Sequence, residues 1–281
     1  MLAVLPIEII KKEIFSHLDE SSKLVVRNLL WNTPIPHTIN KSIQEEICQY
    51  DVNYIIFFQS RINVKDISSY LAIHSNFEGI KWAMGNNFPW NPKSTALVAQ
   101  TGNLNILKWV RENGGSWDKT TCSSAASHGH LKVLQWAREN GCLLDKDICT
   151  HAAEGGKLEI LKWLREIKCP WGICTTAFAA HGGHLDILKW LQLNGCYWDR
   201  ETSEYAASNG HLEVLQWLRQ NGCPWDEFTC EAAAENGHLE VLKWARANGC
   251  SFGTRTFRKA RNGGNLLVVK WLKENGCPED D

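Results

Sequence analysis

What the chain lacks narrows its function before any motif is read. No apolar run reaches the roughly 18 residues that a membrane-spanning helix requires. The formal net charge is −1, so no overall basic field steers the chain toward nucleic acid or anionic lipid. The opening MLAVLPIEIIKKE has neither a basic n-region nor a small-residue cleavage site, so no export leader is expected. No G-x-x-x-x-G-K-[ST] or G-x-G-x-x-G stands in a strand-to-helix setting, and no strand is predicted at all, which removes the common phosphate-binding loops. The 11 cysteines are an odd number and cannot all pair within the chain; without a leader, reduced thiols in the cytoplasm are expected. Methionine is scarce, at 2 of 281 residues.

Tryptophan, by contrast, is abundant, and it is periodic. Trp82, Trp109, Trp136, Trp163, Trp190, Trp217, Trp244 and Trp271 are each 27 residues apart, and each follows Lys or Gln. Such internal periodicity marks a repeat architecture. Seven residues before the anchor stands Gly102, Gly129, Gly156, Gly183, Gly210, Gly237 or Gly264; eleven before it stands Ala125, Ala152, Ala179, Ala206, Ala233 or Ala260. Six after it stands Cys142, Cys169, Cys196, Cys223, Cys250 or Cys277, and eight after it Trp90, Trp117, Trp171, Trp198 or Trp225.

Each unit reads as two antiparallel helices. The first is expected to open after Asp118, Asp145, Asp199 or Asp226, with Asn91, Gly172 and Gly253 in the same slot elsewhere; Asp and Asn side chains accept an orphan N–H bond. The second follows a Gly-His or Gly-Asn turn and ends at Asn-Gly, which suits left-handed geometry. Leu239, Val241, Leu242, Trp244 and Ala245 cover most of the second helix's circumference, so it is expected to be packed on several sides. No such unit buries its own faces, and stacking into a solenoid solves that. Fully enclosed indoles are expected to dominate the stability of the stack.

GHLEVLKWARANGC (Gly237–Cys250) resembles the ankyrin pattern G-H-L-E-I-V-x-L-L-L-x-x-G-A, and GCPWD (Gly222–Asp226) matches its G-A-D-V-N. The resemblance covers 67–281 and implies an all-α, ankyrin-type helical repeat solenoid of eight units, with a degenerate unit at 37–66. Two departures stand out. The period is six residues short of the family's usual length, so short loops are expected where β-hairpin fingers would lie, and the T-P-L-H tetrapeptide is absent. Trp-rich short arrays of this kind resemble those of large DNA viruses of amoebae, which would place the chain in host cytoplasm. Upstream, LPIEIIKKEIFSHL (Leu5–Leu18) resembles an F-box, with Leu5, Pro6, Ile9, Ile14 and Phe15 as its docking residues and one residue more between Ile9 and Ile14 than the pattern carries. That implies a Skp1-like ubiquitin-ligase subunit as partner. The alternative reading of 1–36 is a helical cap shielding the first repeat.

The recurrent Cys and His invite a metal or redox reading. Equivalent cysteines, however, lie one repeat apart, and stacked helices are about 8–10 Å from each other, too far for a disulfide or a zinc site. His130, His184, His211 and His238 give way to Asn103, Lys157 and Asn265 in sister units, and Lys is no ligand. No metal, cofactor or catalytic residue is therefore assigned, and the chain is not expected to be an enzyme. Arg255, Arg258, Lys259 and Arg261 read as the polar outer face of a terminal repeat rather than a nucleic-acid patch.

If recurring columns build the scaffold, recognition belongs to the columns that vary. One place before the Ala pair the chain reads Leu97, Ser124, His151, Phe178, Tyr205, Ala232, Lys259, and the ankyrin resemblance implies that this position faces a concave groove. After the cap, Arg200-Glu201 and Glu227-Phe228 vary too. Aromatics and Arg are enriched among binding hot spots. His151, Phe178, Arg200, Glu201, Tyr205, Glu227 and Phe228 are therefore the candidate contacts for a protein partner, with Arg200 and Glu227 setting register. Together the readings imply a monomeric interaction module recruiting substrates to an SCF-type ligase, or a plain ankyrin scaffold without that link.

Overall fold

The structure, a computed structural model, describes residues 67–145, 147–172 and 174–279. The F-box-like residues Leu5, Pro6, Ile9, Ile14 and Phe15, and the segments 1–36 and 37–66, lie outside the described residues. The described residues form sixteen α-helices and no strand. They fall into two compact units divided after Trp90. In the first, α1 (Ile67–Ile73) and α2 (Phe77–Gly85) form one hairpin around buried Leu71, Ile80 and Ala83.

The second unit holds seven hairpins: α3 (Pro92–Gln100) with α4 (Leu104–Glu112), α5 (Lys119–His128) with α6 (Leu131–Glu139), α7 (Ile148–Glu154) with α8 (Leu158–Glu166), α9 (Thr175–His181) with α10 (Leu185–Leu193), α11 (Arg200–Ser208) with α12 (Leu212–Gln220), α13 (Glu227–Glu235) with α14 (Leu239–Ala247), and α15 (Thr254–Asn262) with α16 (Leu266–Glu274). Their first helices pack on one another in chain order through an alanine seam: Ala125, Ala126, Ala152, Ala153, Ala179, Ala180, Ala206, Ala207, Ala233, Ala234 and Ala260 are fully buried. The second helices touch each other less, so successive hairpins close on the first-helix side and open on the other.

Local chemistry accounts for the helix ends. Asn91, Asp118, Asp199 and Asp226 cap as expected, their side chains accepting from the N–H of Ser94, Thr120, Glu201 and Phe228. Two hairpins differ. After Asp145 and Gly172 the first helix starts later, at Ile148 and Thr175, with Asp147 and Cys174 at the N-cap. Asp145 still accepts from the N–H two residues on, that of Asp147, at 3.2 Å, and takes a 2.8 Å ion pair from Lys119. At the other end, the Asn86, Asn113, Asn140, Asn194, Asn221, Asn248 and Asn275 amides each donate to the carbonyl of their own repeat's Trp at 2.8 Å.

The tryptophans do not sit where full enclosure would put them. The eight periodic indoles are half-buried, and the sealed interior is Ile, Leu, Val and Ala. In α14, Val241, Leu242 and Ala245 are buried while Leu239 and Trp244 are only partly so, which leaves one sealed face rather than several. The correction follows from geometry: the wider spacing of the second helices puts the indoles at a rim. There they form edge-to-face pairs that tie each loop Trp to the next unit's anchor, Trp117–Trp136 at 5.7 Å, Trp171–Trp190 at 5.7 Å, Trp198–Trp217 at 5.6 Å and Trp225–Trp244 at 5.7 Å. Arg111, Arg165 and Arg219 lie over the loop indoles Trp117, Trp171 and Trp225. Such pairs are worth about 0.5–1.5 kcal/mol beyond the area they cover.

The turn histidines have a definite task. The Nε2 of His130, His184, His211 and His238 reaches back one unit to the carbonyl of Gln100, Glu154, His181 and Ser208, at 2.8, 3.0, 2.9 and 3.0 Å. Asn265 does the same for Glu235 at 2.6 Å. Each capture satisfies a carbonyl at a helix C-terminus that the helix itself leaves unpaired. The ring lies directly on the glycine of the preceding turn: a Cβ on Gly183, whose φ is +75°, would stand 2.7 Å from the His211 ring. We expect His211→Ala to lower unfolding free energy by about 1–2 kcal/mol and His211→Asn to recover most of that, measured by urea denaturation. Equal losses in the two variants would mean that the ring's packing, not its hydrogen bond, holds the turn.

Candidate partner-binding face

The first helices bury their alanines on one side and present the other at positions i, i+3, i+4 and i+7. On α9 this face carries Cys174, Ala177, Phe178 and His181; on α11 Glu201, Glu204, Tyr205 and Ser208; on α13 Phe228, Glu231, Ala232 and Glu235; on α15 Arg255, Arg258, Lys259 and Asn262. His151 on α7 is half-buried, and its Nδ1 hydrogen-bonds the Asp147 carbonyl at 2.9 Å.

Phe178 and Tyr205 come together as the sequence suggested, with ring centroids 5.5 Å apart. His181 completes the group, 6.0 Å from Phe178 and 5.7 Å from Tyr205, and its Nδ1 accepts from the Asn209 amide at 2.7 Å. Phe228 belongs to a neighbouring cluster: the Arg200 and Arg255 guanidinium groups lie 5.5 and 5.1 Å from its ring centre. Arg200 also pairs with the cap carboxylate of Asp226 at 3.0 Å, so its charge is engaged within the chain. Glu201 and Glu227 are exposed in the first turns of α11 and α13.

Three members of this face escaped sequence reasoning. Glu231 is only 5% exposed and meets Arg255 Nε at 3.3 Å. Burial raises its carboxyl, opposed by Arg255 and Lys259. Glu204 is raised by burial and then by Asp226, Glu201 and Glu231. His181 is the third. All three lie at helical spacing from residues that were singled out: His181 three after Phe178, Glu204 three after Glu201, Glu231 three after Phe228. The face is acidic around Tyr205, whose phenol is raised by burial and by Glu201 and Glu204 among its neighbours. At the far end the basic run is partly neutralised, Arg255 by Glu231 and Lys259 by Glu235 at 2.8 Å.

Elsewhere, an open cavity of about 820 Å³ lies between the loops at 116–119 and 141–145, where Leu144 stands in the slot of a loop Trp. Its lining mixes Arg111, Lys119, Asp118 and Asp145 with Trp117 and Leu144, and the Lys119–Asp145 pair belongs to it. Among the described residues no group of three or more His, Cys, Asp or Glu is placed to hold a metal ion.

A family model described as ankyrin repeats (many copies) matches residues 204–246, from α11 through α14. The fold is an ankyrin-type helical repeat array. No curated protein matches the chain significantly. Ankyrin repeats are protein–protein interaction modules, and this array presents variable side chains, Phe178 and Tyr205 half-exposed among them, on the first-helix side of a framework sealed by recurring alanines.

One consequence concerns Glu204. Its carboxyl is raised in the folded chain, so the folded state holds its proton to higher pH than the unfolded chain does, and stability falls as pH rises through that interval. Glu204→Gln should therefore raise stability at neutral pH by a fraction of a kcal/mol and have no effect below about pH 4, where both states are protonated. Parallel thermal melts at the two pH values check this.

Proposed function

We propose that the array binds a protein partner across the first helices α7–α13, acting in the cytoplasm, with Phe178, Tyr205 and His151 as the apolar and aromatic contacts and Glu201 and Glu204 selecting a segment that carries Lys or Arg. The observation that carries this reading is the Phe178–Tyr205–His181 cluster, half-exposed and flanked by Glu201 and Glu204, to which no basic side chain among the described residues is bonded. Phe228, held between two guanidinium groups in the chain itself, shows that this surface already accommodates cations over aromatic rings. Arg200 and Glu227 flank the same surface, with Arg200 fixing the edge of Phe228.

Substrate recruitment to an SCF-type ligase is a further part of the proposal. It is supported by LPIEIIKKEIFSHL alone, through Leu5, Pro6, Ile9, Ile14 and Phe15. The plain scaffold, with 1–36 as a cap, is the competing reading. The kinship to arrays of large DNA viruses likewise rests on the short Trp-rich period.

Affinity capture with the full chain tests the face. Phe178→Ala and Tyr205→Ala should each weaken a captured partner by more than about tenfold, with far-UV circular dichroism unchanged. Undiminished capture by the double variant would remove the face from the account. A pull-down with a Skp1-like subunit tests the adaptor role separately: binding is expected to be lost on substituting Pro6 or Phe15, and an absence of binding leaves the plain scaffold.

A further inference from the structure

Comparing equivalent cysteines one repeat apart hides a closer relation. A second column, twenty residues before the Cys column, holds Ser68, Thr95, Cys122, Cys149, Thr176, Ser203, Cys230 and Phe257. Its hydroxyls and thiols donate to the loop of their own hairpin, as in Thr176 to the Tyr197 carbonyl at 3.0 Å, Ser203 to Pro224 at 3.0 Å and Cys149 to Pro170 at 3.4 Å. That position meets the Cys column side chain to side chain; Ser203 Oγ stands 3.4 Å from Cys223 Sγ. In three hairpins both members are Cys, so Cys122/Cys142, Cys149/Cys169 and Cys230/Cys250 occupy these two facing positions, and Cys149 Sγ lies 3.4 Å from the carbonyl of Pro170, the residue after Cys169.

One pair differs from the other two. Cys122, Cys142, Cys230 and Cys250 are buried, whereas Cys169 is partly exposed. Cys142, Cys223, Cys250 and Cys277 donate to a backbone carbonyl at 3.2–3.3 Å, that of Asp118, Asp199, Asp226 or Gly253. Cys169 makes no such bond among the described residues. The turn before it also breaks the repeat rule. Where six sister units have Asn-Gly and one has Asn86-Asn87, this one has Ile167-Lys168, and Lys168 takes a left-handed φ of +57° that glycine adopts at those six turns. A non-glycine residue there is under strain, and this one sets an ammonium side chain beside the thiol in sequence. The Arg138 guanidinium acts on the thiol from the preceding hairpin.

We propose that Cys169 is a site of reversible oxidation by hydroperoxides, with Cys149 as the resolving thiol. The Cys169 thiolate attacks one peroxide oxygen; the O–O bond breaks, the other oxygen leaves as hydroxide and takes up the proton Cys169 released on ionising, and water and a sulfenic acid remain. The Cys149 sulfur then attacks that sulfur, the S–O bond breaks, and the departing hydroxide takes the Cys149 proton as water. One peroxide is reduced, two thiols become a disulfide, and two waters form. The electrostatics match these roles. The bond from Cys149 and the charge of Arg138 hold Cys169 down at about 7 against the effect of burial, where the thiolate is the reacting form. Contact with Cys169 and burial both push the Cys149 thiol up, so Cys169 is the member of the pair that ionises first.

The built-in controls are the other cysteines. The two buried pairs share the contact without the access. Cys174 shares the partial exposure, but burial and then Glu201, Asp199 and Asp147 raise its thiol. The experiment is peptide mapping by mass spectrometry after hydrogen peroxide is added to the full-length reduced chain near neutral pH, with free thiols blocked before digestion. A Cys149–Cys169 linked peptide should appear at least tenfold faster than any modification of Cys174, Cys142 or Cys250, and dithiothreitol should reverse it. In Cys149→Ser, dimedone should trap Cys169 as the sulfenic acid. Oxidation of Cys174 at the same rate, or consumption of Cys169 without a link to Cys149, would overturn the proposal. The wild-type arm stands even if the variant does not fold.

Discussion

The close approach of the first helices is the constraint on which the rest of the array depends. Eleven alanine positions with no exposed surface form the seam along α5–α15, and a larger side chain there would push neighbouring hairpins apart. Holding the helices together on that side leaves the second helices more widely spaced. The wider gap is bridged by indoles, whose size and edge-to-face geometry suit it. The arrangement of small residues on one side and large on the other thus follows from a single packing asymmetry.

The same asymmetry sorts structure from recognition. Across the seam the helix face is inaccessible and its composition fixed; on the opposite face the side chains vary from unit to unit, and Phe178, Glu204, Tyr205 and Phe228 among them are half-exposed. Aromatic residues gather on α9 and α11, carboxylates on α11 and α13, and guanidinium and ammonium groups on α15, where two of them turn back to neutralise Glu231 and Glu235. A repeated framework can carry such a graded surface because framework and surface use different positions of the same helix.

Much of this was legible in the spacing of tryptophan, glycine and alanine, since a fixed period reveals the unit and the caps announce helix starts at Asp118, Asp199 and Asp226. The late starts at Ile148 and Thr175 were not legible, because Asp145 and Gly172 fill the same slot as the Asp226 and Gly253 that open their helices at once. The indoles were read as sealed because period alone does not tell the tight side of a stack from the wide side. On the recognition face, Phe178 and Tyr205 stood out as aromatics in a varying column. Glu231 and His181 did not, because their partners come from neighbouring units at intervals of 24–28 residues. The thiol pairs were hidden for a related reason: they join two different columns of one hairpin, a relation that aligning units on one anchor does not expose.

The reach of His130, His184, His211, His238 and Asn265 to the carbonyl one unit back bears on how such a chain changes over time. Every one of these captures links a unit to its immediate predecessor and to nothing further away. In-frame duplication or loss of a whole unit that carries such a capture would recreate the same junction at the new border. The chain is thus able to lengthen or shorten in whole steps without designing a new joint, and each step adds or removes one rung of variable surface.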